Sequence, residues 1–204
     1  MLFKISAEHF NSFLQGPWET IERTELRTEL DHAKKIISII GQCSDEDDWP
    51  DNFDFRRKAV EKWFADADIV VHSGFLRQYK AVRNKLLDIA YQYPNYSIHV
   101  SGFSLGASWT QIFVQDVLYR WPERDIQAIL YAPGNPWRKL PENFQKSLES
   151  RITFVYSFWD PVTWMKLIGF QRYGANKKIG KWYRLWPIQH YPEQIDRALK
   201  DEFK

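Results

Sequence analysis

A serine hydroxyl is a poor nucleophile near neutral pH, so acyl-transfer chemistry pairs it with a base that takes its proton and a carboxylate that orients the base. Ser104, Asp160 and His190 have the residue types and the chain order that this chemistry needs. Ser104 stands in the middle of Gly102-Phe103-Ser104-Leu105-Gly106. Glycines two before and two after it remove the Cβ atoms that would collide in a sharp strand-to-helix turn. Of the five histidines, His9, His32, His72, His99 and His190, only the last follows the serine. Asp160 comes directly after a predicted strand, in Trp159-Asp160-Pro161-Val162. Asp116 and Asp125 also lie between Ser104 and His190, but the first falls inside a predicted helix and the second before a strand, at the wrong edge. The alternatives are plainer: a turn-initiating Asp before proline, a surface histidine capping the last helix, and His72 and His99 as strand residues satisfied locally.

The elements that must position these groups follow from periodicity. Ser97-Ile98-His99-Val100-Ser101 alternates as a strand does, and from Ala107 the apolar spacing lengthens to three and four through Ile112, Phe113 and Val117, so the serine sits between a strand and a helix. Further strands are predicted at 34–41, 68–72, 126–131 and 151–158, and helices at 56–65, 75–90, 141–150 and 191–203. Residues 5–30 lack a clean strand pattern, and Thr24-Glu25-Leu26-Arg27 suits a helix or an irregular lead-in. Residues 42–52 are acidic and turn-rich and read as a loop. The five acids between 45 and 51 do not have calcium-loop spacing, so a solvated loop is expected and no metal. The stretch 159–189 is irregular. Strands alternating with helices imply a mostly parallel sheet covered by helices on both faces. Reactive groups then gather beyond the carboxyl ends of the strands. The loops after residues 40, 72, 102, 132 and 158 are expected to converge there.

Composition narrows the function classes. At 204 residues the chain suits one domain, with 28 basic and 26 acidic side chains and a net charge of +2. It carries no basic block of the kind that marks a nucleic-acid partner. No run of about eighteen apolar residues spans a membrane. The single cysteine, Cys43, cannot form an internal disulfide, and MLFKISAEHF lacks a signal-peptide core, so a cytoplasmic protein is expected. Aromatic residues make up 17% of the chain, ten of them tryptophans. Most belong in a core, but Trp also lines pockets.

Charge developing on a substrate carbonyl must be met by backbone N–H donors. Leu105, after the nucleophile, is the first candidate and Gln42, in the early loop opened by Gly41, the second. Beside these, several segments resemble the class 3 lipase family of α/β-hydrolases over roughly residues 35 to 195. Val71-His72-Ser73-Gly74-Phe75 is similar to the family's His-x-Gly-Phe segment, and Gly102-Phe103-Ser104-Leu105-Gly106-Ala107 resembles its serine elbow. Tyr131-Ala132-Pro133-Gly134-Asn135 is similar to its Gly-x-Pro strand end, and Asp160-Pro161-Val162 to its acid segment. The resemblance implies a compact α/β-hydrolase fold, a triad of Ser104, Asp160 and His190, and ester hydrolysis through an acyl-serine without a cofactor. Two departures stand out: Gln42 where the family carries Ser or Thr, and Phe103 where histidine is common.

The expected activity is that of a serine carboxylic-ester hydrolase on a small-molecule or lipid ester. Trp159, Trp164, Met165 and Trp186 are candidates for an apolar acyl pocket, with core packing the alternative for each. A thioesterase or acyltransferase would use the same triad, and a hydrolase fold retained for binding alone is the reading from another class. The sequence does not set the oligomeric state.

Overall fold

The structure, a computed structural model, describes residues 5–43, 60–63, 69–157, 169–179 and 192–202. A seven-stranded sheet forms its centre, with α1 (Ala7–Leu14), β1 (Glu19–Ile21), β2 (Thr24–Asp31) and β3 (Ile36–Cys43) leading in. β4 (Val60–Trp63), β5 (Ile69–His72) and α2 (Ser73–Gln92) connect to β6 (Ser97–Phe103), and α3 (Ser104–Arg120) connects β6 to β7 (Ile126–Tyr131). β8 (Trp137–Lys139), α4 (Glu142–Glu149), β9 (Ile152–Ser157), β10 (Ala175–Ile179) and α5 (Pro192–Glu202) complete the described chain. The sheet order is β1-β2-β3-β6-β7-β9-β10. From β3 through β10 neighbouring strands run parallel, and β1 and β2 join antiparallel.

Strands buried on both faces read as apolar runs rather than alternations, and Ile36-Ile37-Ser38-Ile39-Ile40 and Ile129-Leu130-Tyr131 do so. Ile37, Ile39, Val100, Leu130 and Phe154 join one core with α2, α3 and α4. Ile40, Phe103, Ile129, Tyr131, Val155 and Ile179 form a second core with Phe10 of α1 and Ile195, Ala198 and Leu199 of α5. α3 is buried from Ser104 through Leu118. It is fastened to α2 by Asp116, whose fully buried carboxylate accepts from the Tyr79 hydroxyl at 2.8 Å, Arg83 Nε at 2.6 Å and Arg120 Nε at 2.8 Å.

Helices 73–92, 104–120, 142–149 and 192–202 and the strands at 36–43, 69–72, 97–103, 126–131 and 152–157 agree with the sequence reading. Five features differ. Thr24–Asp31 is a strand, not a helix or irregular lead-in; it pairs along its whole length with β3, and only Thr24 and Leu26 are buried. With just Leu26 and Leu30 apolar, four residues apart, its spacing imitates a helix. Val60–Trp63 is likewise a strand, where a helix over 56–65 was expected, because it pairs antiparallel with Ile69–His72. Those two strands and β8 form a separate three-stranded sheet, so the strand ending at His72 is not part of the parallel sheet; His72 N–H still donates to the Pro136 carbonyl at 2.8 Å, which ties its end to the loop after β7. Finally, β10 runs through the stretch read as irregular, and β3 continues to Cys43, past the predicted start of the acidic loop. The remainder of that loop lies outside the described residues.

Candidate active site

β6 delivers the chain to Ser104 in extended conformation, with Phe103 at φ −126° and ψ 139°. Ser104 then turns to φ +53°, a left-handed backbone that costs an L-residue about 1 to 2 kcal/mol. α3 starts there, so the N–H groups of its first turn, Leu105 among them, have no carbonyl one turn back to bond. These orphan donors and the positive end of the helix make the corner favourable to negative charge.

Glycine is required on both sides of the corner. A Cβ on Gly102 would sit 2.8 Å from the Ala107 backbone, and one on Gly106 would overlap the backbone of Gly41 and Gln42. The end of β3 therefore lies directly against the first turn of α3, which brings the Gln42 backbone to Leu105's turn. The Gln42 side chain is half-buried, and its Oε1 has no hydrogen-bond partner among the described residues.

A second left-handed residue lies next door. Phe103 and Tyr131 pair across the parallel strands β6 and β7, so Ala132, at φ +47°, is the neighbour of Ser104. The loop it opens, 132–136, is held from α3: Ser108 Oγ accepts from Gly134 N–H at 2.8 Å and donates to the Ser104 carbonyl at 2.9 Å. Gln111 Nε2 donates to the Gly134 carbonyl at 3.0 Å. From the other side, Arg172 lies over the Tyr156 ring at 4.1 Å and donates to the Pro133 carbonyl at 3.3 Å.

Below the corner, on the α1 face, His9 Nδ1 shares a hydrogen bond of 2.9 Å with the Tyr131 hydroxyl, and Nε2 one of 3.2 Å with Ser101 Oγ. Burial, and secondarily the neighbouring His99, lowers the His9 pKa to about 4. Burial also lowers that of His99, which Asp125 partly offsets. Burial raises that of the Tyr131 hydroxyl. Both imidazoles are therefore neutral at pH 7. His72 is buried with its ring 4.5 Å from Phe75 and 5.2 Å from Phe170.

Of the residues singled out from the sequence, the structure describes Ser104, Leu105 and Gln42 and brings them together at one corner. Asp160, His190, Trp159, Trp164, Met165 and Trp186 lie outside the described residues. The two rejected acids are engaged elsewhere: Asp116 in its ion pairs, and Asp125 accepting from Ser97 Oγ at 2.5 Å. Ser108, Gln111, Arg172 and His9 were not singled out. The signal for the first two was available, since a helix buried all round must find a partner for each polar side chain it carries. Among the described residues no group of three or more His, Cys, Asp or Glu side chains is arranged to hold a metal ion, and no helix is long and apolar enough to cross a membrane.

A model of the family described as Lipase (class 3) matches residues 36–168, about two thirds of the chain, including Gln42, Ser104, Leu105 and the 132–136 loop. The chain belongs to the class 3 lipase family. It is 32% identical over 96 residues to a lipase of Rhizomucor miehei, a match covering 38% of this chain and 26% of that protein. Rhizomucor miehei lipase in its native propeptide complex superposes with a TM-score of 0.65 at 22% identity, covering 80% of this chain and 55% of that one. A triacylglycerol lipase whose catalytic centre is formed by a serine protease triad superposes with a TM-score of 0.65 at 20% identity, covering 81% of this chain and 66% of that one. These superpositions carry the fold: a mostly parallel sheet flanked by helices in the α/β-hydrolase manner. This class 3 lipase family member spans about a quarter of the curated relative and little more than half of the Rhizomucor structure.

Proposed function

We propose that this class 3 lipase family member is a serine carboxylic-ester hydrolase acting on a small-molecule or lipid ester. The observation that carries the reading is the left-handed backbone of Ser104 at the junction of β6 and α3, beside the orphan N–H groups of the helix and the abutting Gln42. Family membership supports it, and so does the serine triad of the structurally similar triacylglycerol lipase.

In this mechanism His190, oriented by Asp160, takes the Ser104 proton as the hydroxyl oxygen attacks the ester carbonyl. The carbonyl oxygen gains negative charge and is met by the N–H groups of Leu105 and Gln42. His190 then passes its proton to the departing alcohol, leaving an acyl-serine. Water, deprotonated by the same imidazole, attacks that ester, and collapse of the second tetrahedral intermediate returns the serine and releases the acid. The same reading assigns the acyl pocket to Trp159, Trp164, Met165 and Trp186.

Turnover of p-nitrophenyl esters of increasing acyl length tests the reading. Hydrolysis by the chain, lost by about a thousandfold or more in Ser104→Ala, is the expected result, and the chain-length optimum reports the depth of the acyl pocket. Acyl-thioesters in the same assay distinguish a thioesterase using the same residues. Equal turnover by the chain and Ser104→Ala would remove the serine mechanism altogether.

A further inference from the structure

Two strained residues sit side by side at the carboxyl end of the sheet, and a single hydroxyl joins the segments they begin. Ser104 and Ala132 both have positive φ, and the residues before them are paired across β6 and β7. Non-glycine residues hold such a backbone only where the surroundings over-determine it. Here the surroundings can be named. Ser108 lies one turn after Ser104 on α3 and is 1% exposed. Its hydroxyl hydrogen goes to the Ser104 carbonyl, and its oxygen takes the Gly134 N–H. Gln111, fully buried on the same helix, donates to the Gly134 carbonyl and also to the Ala107 carbonyl at 3.2 Å. Both polar groups of the Gly134 residue are thus satisfied by side chains of the helix that begins at Ser104.

The fit also depends on residue 134 being glycine. A Cβ there would lie 2.8 Å from Ser108 Oγ and 2.9 Å from the Phe75 ring, so the close approach of loop and helix leaves no room for another side chain. The Ser104 turn and the 132–136 loop are consequently one mechanical unit. If the loop shifts, a buried N–H loses its acceptor; if the first two turns of α3 shift, Gly134 loses the partners of both its polar groups.

We infer that Ser108 and Gln111 are positioning residues for the reaction at Ser104: they fix the loop after β7 against the nucleophile's turn, and so set the path by which an ester carbonyl approaches the Ser104 hydroxyl. The inference rests on the ester-hydrolase reading. Neither side chain touches the reacting atoms. Their effect is on alignment in the transition state, where a displacement of about an ångström costs on the order of a hundredfold in rate.

Three variants of the chain test this, each with its active sites counted by fluorophosphonate titration so that unfolded protein drops out of kcat. Ser108→Ala is expected to lower kcat per titrated site by about tenfold or more with KM changed by less than about twofold, and to speed hydrogen exchange at the Gly134 amide. Gln111→Leu is expected to lower kcat in the same way. Val117→Ala, in the fully buried part of α3 away from the loop, supplies a thermal destabilisation without touching these hydrogen bonds, and its kcat per site is expected to match that of the unaltered chain. The inference is overturned if Ser108→Ala keeps its kcat per site, or if Val117→Ala loses as much. If the unaltered chain takes up no fluorophosphonate, or Ser104→Ala turns over ester equally well, it is the ester-hydrolase reading that has failed, and the positioning role falls with it.

Discussion

At Ser104 the backbone is strained on its own account, independently of any chemistry its hydroxyl performs. A residue with φ of +53° carries a steric cost that glycine does not pay. Ser104→Gly is therefore expected to be more stable than Ser104→Ala by about 1 kcal/mol, measured by chemical denaturation, although glycine ordinarily weakens a helix start relative to alanine. An ordering with alanine more stable would mean that the corner is unstrained. The serine, its flanking glycines and Leu105 were legible in the sequence because the turn is local: strand pattern, small residues and helix pattern are contiguous. Ser108 and Gln111 were less legible. Their partner, Gly134, lies more than twenty residues away, and nothing in the local pattern of α3 points to it.

At the scale of elements, the pairing of α2 with α3 depends on a charge buried at their interface. Asp116 is fully buried, while Arg83 and Arg120 keep 23% and 39% of their side chains exposed. Removing the carboxylate leaves two cations that can turn to water and one buried phenol without its acceptor, so the cost is below that of stranding a buried charge. Asp116→Ala is expected to lower unfolding free energy by about 2 kcal/mol, and Arg120→Ala by less than about 1 kcal/mol, as read from urea titrations; equal losses would show that the interface is held by packing alone. The helices and parallel strands were legible because burial on one or two faces imposes periodicity on each by itself. β2 and β4 were not. β2 fully buries only Thr24 and Leu26, and its remaining residues are half-buried or exposed. β4 is four residues long and exists through its pairing with β5, so its sequence need only be compatible with a strand. Pairing between strands is non-local, and short polar strands carry little of it in their own residues.

Across the whole molecule, the sheet is closed on one side by α2, α3 and α4 and on the other by α1 and α5, and the second closure contains a buried titrating group. A free imidazole titrates near 6.5, whereas His9 in the fold titrates near 4. Between those values the unfolded chain binds a proton that the folded chain refuses. Stability from this group is therefore complete above about pH 6.5 and declines as the pH falls toward 4, by about 3 kcal/mol in all. His99, whose pKa is also lowered, contributes in the same direction. His9→Gln keeps a polar side chain under Tyr131 without a titrating proton, and its unfolding free energy is expected to fall less steeply over this range. A parallel profile for the variant would place the proton uptake elsewhere. The α1 face was hidden from the sequence reading because His9 gains its partners, Tyr131 and Ser101, only when the chain closes on itself.

The most direct measurement is to react the chain with a fluorophosphonate, digest it and locate the adduct by mass spectrometry. A single phosphonyl group on Ser104, absent from Ser104→Ala, is the predicted result, because only an activated hydroxyl beside oxyanion donors attacks phosphorus at a useful rate. An adduct on another serine, or none on the folded chain, would contradict it.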